Sequence, residues 1–542
     1  MKQNLMLKLI EQNTPEIVLC KIIGYFTGIR RVTFVSALIA GLITHLTLII
    51  LTPVCADPVL HLEWWKFLDY ELYNVGRWAS NLITFPRGYL VVPFLNIMTS
   101  IIFMALAAVL LGDLFKIKGR ISAVILATSM TVSPVLANHL FYYATGAGMP
   151  TWLVPIIPIY IIYRSKKKPA LNTLMAILFI ILSLGICQSD ICTITGLSVL
   201  MVILDLLRCE KGKEIWLKFF QSVLVTTIGA IIYYITWGFF VKIKGITTLY
   251  GGANSYGLIN TLKTLPVSIK LIYSDFWGYF FNDSIINNFY WYREYFNAIL
   301  IIAALACIAF VIYRAIREKK MWLYEVIHIA VLIAMIPPAF ISIRFLVTDY
   351  NFYLIMATAF VLVIPFIFAI YELLDEGKLQ TALKWTIVVS TVIIIWTHIL
   401  SDNAGYLLLN QTSIQTKQLA SRVLDRIENS KGYRSDMNVC FIGALTDNSY
   451  HLSSILSEMS PGSTFKQAGV WTGLWENSDG WGLYILHFCG VQLNYYSHGD
   501  YEKIKGIACT AQFKDMGNYP AKDSIAIING VMVVKFGDYT GE

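Results

Sequence analysis

The densest group of ionisable and aromatic side chains in this sequence lies in residues 55–78, CADPVLHLEWWKFLDYELYNVGRW, directly after the first long apolar run. The stretch holds four carboxylates, one histidine, three tryptophans and an arginine. A carboxylate in this position can take a proton from an incoming hydroxyl group, which is the general-base role in glycosyl transfer. Asp57 is our candidate for that base. The alternative interpretation is that Asp57 caps a short helix, since Asp at the N-cap with Pro at the next position is a common pairing.

Other side chains of the same stretch are candidates for supporting roles. Glu63 and Asp69 are carboxylates that could assist the base, or they could belong to the solvated face of an amphipathic helix. In that second interpretation Trp64 is an anchor at the membrane interface. Arg77, the centre of a Gly-Arg-Trp sequence that ends at Trp78, could hold a phosphate or fix the loop through a carboxylate, because guanidinium groups bind both.

Two further loops contain candidates. Arg344 follows an apolar run, and an arginine at that depth needs an anionic partner. That partner is either a lipid-linked phosphate or the nearby Asp349. His139 opens a loop with two tyrosines and is a candidate for substrate contact, although a single histidine in such a place is more often structural.

Motifs of soluble enzymes are missing from the sequence. It has no P-loop, no dinucleotide-binding glycine pattern, no His-Glu-x-x-His and no Cys/His set with zinc spacing, so we expect neither a metal nor a cofactor. Within the apolar runs we find few ionisable residues: Asp190 lies at a helix end, and His328 and His398 are isolated. Ion-coupled transporters place such groups near the bilayer midplane, so this scarcity argues against transport.

The composition is that of a polytopic membrane protein. Of the 542 residues, 57% are hydrophobic and 14% charged, and the mean hydropathy is +0.62. A helix needs roughly 20 apolar residues to cross a bilayer. Eleven runs approach that length, and they are predicted at 33–54, 88–112, 120–138, 150–164, 170–187, 191–207, 217–240, 296–313, 323–341, 352–371 and 385–400.

The distribution of charge predicts the orientation. The net charge of +8 comes from short Lys/Arg clusters between alternate runs, as the positive-inside rule requires, and it does not indicate nucleic-acid binding. The N-terminus is therefore predicted inside, with residues 1–32 as an amphipathic segment on the inner surface. Residues 33–400 form the membrane domain, whose outer loops are predicted at 55–86, 139–149, 241–295 and 342–351.

Beyond residue 400 the composition becomes polar and glycine-rich, with short β-branched runs. Residues 401–542 are predicted to form a small outer α/β domain, and Asn529-Gly530 marks a hairpin between its last two strands. Six of the nine cysteines lie on the predicted outer side. Cys187 and Cys192 are predicted at facing helix ends, where they either pair or remain two buried thiols.

An acidic residue directly after the first span, followed in the same loop by Gly-Arg-Trp, resembles the serotype-converting glucosyltransferases of the Gtr family. The closing stretch NYPAKDSIAIINGVMVVKFG (518–537) is similar to the family's ending, in which Tyr-Pro and a small turn precede a last hairpin. The plan of eleven spans with an outer C-terminal domain is also similar. One departure is that family members often carry two adjacent acidic residues where this sequence has Ala56-Asp57-Pro58, so Asp57 alone takes that role.

The resemblance implies a GT-C-type glycosyltransferase of the bacterial inner membrane, with the C-terminal domain in the periplasm. The donor would be undecaprenyl-phosphate-linked glucose, supplied by a donor-synthesising glucosyltransferase and a flippase. The acceptor would be a sugar hydroxyl of lipid-linked O-antigen polysaccharide. In this scheme Asp57, with Glu63 as a possible helper, carries the catalysis. Donor or acceptor would be bound by Arg77, Trp78, Trp64, Asp69, His139 and Arg344.

Three alternatives stay open. The first is a related GT-C enzyme with another sugar or acceptor. The second is a flippase or exporter of lipid-linked sugars, which predicts charged groups inside the helical bundle rather than in outer loops. The third is a non-catalytic assembly subunit, which would tolerate the loss of Asp57.

Overall fold

Helices dominate the part of the chain that a computed structural model describes. That part comprises residues 15–53, 74–80, 82, 92–143, 152–164, 169–210, 212–246, 249, 258–281, 289–345, 352–445, 454–460 and 478–539. The helices before the C-terminal unit are α1 Pro15–Tyr25, α2 Gly28–Leu51, α3 Pro93–Leu114, α4 Arg120–Thr131, α5 Pro134–Tyr143, α6 Ile156–Arg164, α7 Pro169–Ile186, α8 Asp190–Leu207, α9 Gly212–Ile243, α10 Leu258–Phe281, α11 Tyr292–Arg317, α12 Leu323–Ala334, α13 Ile336–Phe340, α14 Val363–Tyr371 and α15 Lys378–Glu428.

Seven of these helices are long and apolar enough to cross a membrane, and the bent pair α4–α5 brings the number to eight within the described residues. The seven are α2, α3, α7, α8, α9, α11 and α15. A polytopic membrane protein is therefore confirmed in outline, whereas the count of eleven spans remains a prediction. The helix α8 lies at the centre of the bundle, since 89% of its apolar window is buried.

Three of the predicted spans are interrupted, two of them at prolines. The run 120–138 bends by 42° between α4 and α5, where Pro134 cannot donate a backbone hydrogen bond. The run 323–341 divides into α12 and α13 just before Pro337-Pro338. The run 352–371 consists of two 3₁₀ turns, Leu354–Met356 and Thr358–Leu362, followed by α14.

The last helix of the bundle, α15, has 51 residues and passes through residue 401 without a break. As far as Leu409, the buried side chains of α15 belong to the core of the bundle. From Leu419 onward it packs against the sheet of the C-terminal unit. The division of the chain at residue 401 thus lies inside a helix, and the domain bounds stay a prediction.

The C-terminal unit is a four-stranded sheet with helices on both faces. Its elements are β1 Asn438–Ile442, α16 Ser454–Met459, α17 Ser478–Tyr484, β2 Asn494–Tyr495, α18 Tyr501–Ala508, α19 Ala511–Asp515, β3 Ile525–Ile528 and β4 Val531–Lys535. The strand order is β2-β1-β4-β3, with β1 parallel to both neighbours and β3 antiparallel to β4. Because side chains alternate along a strand, Met532 and Val534 join the core with α15 while Val531 and Val533 join the core with α19.

The predicted hairpin is confirmed. Asn529 and Gly530 have φ values of 50° and 79° and connect β3 to β4 directly. Two successive residues with positive φ form a type I′ turn, whose twist matches that of paired strands. The hairpin of the small C-terminal sheet was thus predictable from local sequence.

Candidate active site

The loop with Gly76, Arg77 and Trp78 packs closely against α9, and this close contact requires a glycine at position 76. Gly76 has φ +78°, the left-handed region that side chains disfavour. A Cβ at this position would lie 2.7 Å from Tyr233 Oη and 2.8 Å from Trp237 Cε2. The Tyr233 hydroxyl donates to the Gly76 carbonyl at 3.0 Å, and the Gln188 amide donates to the Val75 carbonyl and to Tyr233. The two residues that precede Arg77 are therefore fixed by hydrogen bonds to their backbone carbonyls.

Trp78 anchors the other side of the loop. A short 3₁₀ turn, Trp78–Ser80, follows Arg77 and packs on the end of α7. Gly185 gives it room, since a Cβ there would lie 2.9 Å from Ala79 Cβ and 3.0 Å from Trp78 Cε2. Trp78 thus positions Arg77 through packing, in addition to any contact it makes with substrate.

Arg77 lies within electrostatic reach of three groups that are distant from one another in the chain, namely His139 on α5, Cys187 between α7 and α8, and Tyr233 on α9. His139 is buried, its Nε2 donates to the Ile355 carbonyl at 2.9 Å, and its ring meets Trp152 edge-on at 5.0 Å. The carbonyl can only accept, so this bond fixes the proton on Nε2. The structure therefore brings two of the predicted site residues, Arg77 and His139, to the same end of the bundle. We call this the Arg77 end.

Arg344 lies in an ion pair with Asp275, a carboxylate that the sequence did not single out. Its guanidinium donates to the Asp275 carboxylate at 2.9 Å from Nε, with Nη2 at 2.8 Å. Burial raises the pKa of Asp275, and the nearby guanidinium opposes that rise. Asp349 falls outside the described residues. A phosphate that binds Arg344 would have to share the guanidinium with Asp275.

The segment that carries Arg344 is fastened to α8 by hydroxyl groups. Thr195 donates to the Ala339 carbonyl at 2.6 Å and lies 3.1 Å from Ser342 Oγ. Thr193 donates to Thr358 Oγ1 at 2.9 Å. These bonds satisfy polar groups in an interior with little water, and they hold the segments 336–345 and 352–362 against α8.

The aromatic residues of α10 do not form an exposed surface for sugars, as far as the structure describes them. Phe276, Tyr279 and Phe280 are all buried, and Tyr279 stacks on Phe360 at 4.1 Å between centroids. They turn inward because α10 is amphipathic and its apolar side faces the interrupted segment at 354–362. Trp277, on the opposite side of the helix, remains exposed.

Asp57, Glu63, Trp64 and Asp69 lie outside the described residues, so their relation to Arg77 stays a prediction. Cys187 and Cys192 are both buried free thiols, in agreement with the second of the two alternatives. The described residues contain no group of three or more His, Cys, Asp or Glu side chains able to hold a metal ion.

Sequence analysis missed Asp275, Tyr233 and Gln188, which hold the site together. Asp275 lies in the predicted outer loop 241–295, so its carboxylate was available as a partner for Arg344. Nothing in the sequence around Tyr233 or Gln188 indicates a role, because both contact the loop from positions far away in the chain.

A bundle of long apolar helices, followed by a small unit with a sheet, is the architecture of a polytopic membrane protein. The family described as Glucosyl transferase GtrII matches residues 66–364, more than half of the chain, and the chain belongs to that family. The match includes Arg77, His139 and Arg344 but begins after Asp57 and Glu63. Comparisons with curated proteins and with solved structures gave no significant match.

Proposed function

We propose that this protein transfers glucose from undecaprenyl-phosphate-glucose to a sugar hydroxyl of lipid-linked O-antigen, on the periplasmic face of the bacterial inner membrane. The observation that carries the proposal is the match to the glucosyltransferase family over the region that contains the Arg77 end. Membership supports glucosyl transfer, and the apolar helices favour a donor that is itself a lipid. The identity of donor and acceptor is our inference.

The proposed reaction is a single displacement with inversion. The Asp57 carboxylate accepts the proton of the acceptor hydroxyl as its oxygen attacks C1 of glucose from the side opposite the phosphate. The bond between C1 and the phosphate oxygen breaks, and undecaprenyl phosphate leaves with the electron pair. Negative charge grows on the leaving phosphate, so a positioned cation lowers the barrier.

Arg77 is better suited than Arg344 to the leaving phosphate. Both are cationic, but the Arg344 side chain is buried against Asp275, whereas Arg77 is only partly buried and lies in a loop whose backbone is fixed. We propose that Arg344 positions α10 and contacts the donor only secondarily. Glu63 and Asp69 remain candidate helpers of the base, and Trp64 and Trp78 candidate faces for sugar rings.

The donor must reach the periplasmic face before transfer. A separate glucosyltransferase that makes the lipid-linked donor and a flippase that moves it are therefore expected partners in function. The bilayer is the third partner, and neither cofactor nor metal is required by the proposed chemistry.

A second function, movement of lipid-linked sugars across the membrane, is favoured by one observation. Buried charged side chains occur within the described bundle, at Arg293 and Asp402, as a transporter would require. An assay in detergent distinguishes the two functions, because transport needs two sides of a membrane and glucose transfer does not. Purified protein that transfers glucose from the lipid donor to an acceptor in detergent is an enzyme, whereas a flippase leaves both substrates unchanged.

The proposal is tested by comparing O-antigen glucosylation in cells with the wild type, Asp57→Asn and Glu63→Gln at matched protein levels in the membrane. Asparagine can still cap a helix, so it removes only the base. We expect Asp57→Asn to lower transfer by about 10²- to 10⁴-fold, the usual contribution of a general base. Asp436→Asn is the matched control, since its side chain is 72% exposed in the C-terminal unit. Normal glucosylation by Asp57→Asn would remove Asp57 from the mechanism.

A further inference from the structure

A cavity of about 230 Å³ lies between the first turns of α2 and the last turns of α3. The start of α2 supplies Thr27, Arg30 and Thr33 to its lining, and the end of α3 supplies Gly112 and Asp113. Gly112 contributes to the space, because no neighbouring side chain lies within 4 Å of the position that a Cβ would take there. A water molecule occupies about 30 Å³ in the liquid, so the cavity is large enough for a group the size of a phosphate ester.

The cavity lies at the opposite end of the bundle from the Arg77 end. Helix α8 connects the two ends, because it begins just after Cys187, which Arg77 reaches electrostatically. At the other end of α8, Arg208 donates to the carbonyl of Phe115, the residue directly after α3. A helix of 18 residues is about 27 Å long, so the cavity is well separated from the groups proposed for glucosyl transfer. The sequence predicts this end of the bundle on the inner side of the membrane.

Arg30 is the cation of this cavity, and only one of its three nitrogen atoms is engaged. Its Nε donates to the two carboxylate oxygens of Asp113 at 2.9 and 3.1 Å, and the guanidinium lies 4.1 Å from the centre of the Tyr25 ring. The two terminal amino groups make no hydrogen bond within the described part of the chain. Their N–H donors therefore remain for a ligand, and a guanidinium binds two oxygens of one phosphate in fixed geometry.

Asp113 holds Arg30 in place and is itself fixed by two tyrosines. Its carboxylate accepts from the Tyr25 hydroxyl at 2.7 Å, and the Tyr160 hydroxyl donates to the same oxygen at 3.4 Å. The backbone carbonyl of Asp113 accepts from Arg164 at 2.6 Å. The carboxylate is thus occupied by donors of the protein, so the terminal amino groups of Arg30 are the charged groups that a ligand meets.

Two further features favour an anion in this cavity. Thr27, directly before α2, makes no capping hydrogen bond with its side chain, so the first backbone N–H groups of α2 are left for another acceptor. Arg31 is exposed beside Arg30, and the loop from α3 to α4 adds the exposed Lys118 and Arg120. Basic side chains beside a bilayer attract anionic lipids.

The surface of α2 beyond the cavity favours a lipid over a soluble phosphate ester. Val35, Ile39 and Ile43 are exposed and lie four residues apart, so they form one aliphatic stripe along this apolar helix. We propose that the cavity binds the phosphodiester head group of an anionic glycerophospholipid from the inner leaflet. Arg30 and the first N–H groups of α2 take the phosphate oxygens, and the acyl chains lie along the stripe. This inference does not depend on the proposed function.

The test is a titration of purified protein in detergent with phosphatidylglycerol, with the bound lipid counted by native mass spectrometry. Arg30→Gln is expected to weaken binding by roughly 10- to 100-fold, the usual effect of losing a charge-assisted hydrogen bond. Gly112→Leu leaves the ion pair intact and fills the cavity, so we expect a loss of similar size. Two matched controls are expected to bind as the wild type does. Arg31→Gln removes the same charge from an exposed neighbour, and Gly238→Leu enlarges a helical glycine that also has nothing within 4 Å of its Cβ position.

Two comparison probes identify the source of the phosphate in experiments on the wild type, which do not depend on the stability of any variant. Glycerol phosphate has the phosphate without acyl chains, and phosphatidylcholine has both but no net charge, so each is expected to bind more weakly than phosphatidylglycerol. Equal binding of glycerol phosphate would assign the cavity to a soluble phosphate ester, and equal binding of phosphatidylcholine would contradict the choice of an anionic lipid. Unchanged binding by both Arg30→Gln and Gly112→Leu, or an equal loss in Arg31→Gln, would overturn the site itself.

Discussion

Replacing Gly76 by alanine is the sharpest test of how the loop around Arg77 is built. Two costs combine at this position. Forcing a residue with a Cβ into the left-handed region costs about 1–2 kcal/mol. Crowding of the Cβ against Tyr233 and Trp237, at 2.7 and 2.8 Å, adds about 1–3 kcal/mol because both rings are buried and cannot retreat easily. The sum is about 2–5 kcal/mol, enough to displace the loop.

Three other glycines separate these costs. Gly245 has φ +65° with nothing within 4 Å of its Cβ position, so Gly245→Ala measures the backbone cost alone. Gly185 is helical but crowded by Trp78 and Ala79, so Gly185→Ala measures crowding, partly offset by about 1 kcal/mol of gained helix propensity. Gly238 is helical and uncrowded, and its alanine variant is expected to be neutral or slightly stabilised.

The assay is thermal unfolding of purified protein in detergent, together with glucose transfer at matched protein amounts. We expect Gly76→Ala to unfold at the lowest temperature of the four and to lose the most activity, since the displaced backbone carries Arg77 with it. The reasoning is refuted if Gly76→Ala and Gly245→Ala unfold at the same temperature, because crowding by Tyr233 and Trp237 would then contribute nothing.

Three more predictions concern an ion pair and two cysteines. Asp275→Asn removes the carboxylate that pairs with the buried Arg344 guanidinium and should destabilise the protein by about 3–5 kcal/mol. The double variant with Arg344→Gln should recover part of that loss. Additive effects in a double-mutant cycle would contradict the pairing. Burial raises the pKa of Cys440 to about 12, so its thiol should resist maleimide at pH 8 while the exposed Cys509 reacts. The reverse order of labelling would be inconsistent with the C-terminal core. Because the folded state holds the Cys440 proton more tightly than the unfolded state does, its contribution to stability should be complete below pH 9 and decline as the pH rises towards 12, which chemical unfolding at several pH values would measure.

Features that depend on neighbours in sequence were predictable, and those that depend on distant contacts were not. Asn529-Gly530 specifies its hairpin because a type I′ turn is a property of two residues. Gly76 stood out in the sequence as part of a motif, but the reason for the glycine is a tyrosine 157 positions away. For Arg344 the sequence offered a lipid-linked phosphate or Asp349, and both stay predictions, whereas Asp275, the carboxylate that the structure places against it, is 69 positions away and was not predicted.

The interior charges were missed for a different reason. A hydropathy window ends a span where ionisable residues begin, so the runs 296–313 and 385–400 stopped short of Arg293 and Asp402. The helices α11 and α15 continue past those limits because backbone hydrogen bonding inside a bundle does not depend on side-chain polarity. A residue just beyond the edge of an apolar run can therefore lie either in a loop or inside the helical bundle, and hydropathy does not distinguish the two.

The placement of Arg293 and Asp402 argues that the bundle has more than a structural task. Removing an ion from water costs several kcal/mol even after the protein relaxes around it, and a close pair recovers that cost only with good geometry. Neither carboxylate oxygen of Asp402 has a hydrogen-bond partner among the described residues, so this carboxylate does not recover the cost there. A bundle selected only for stability would hold an aliphatic residue at that position.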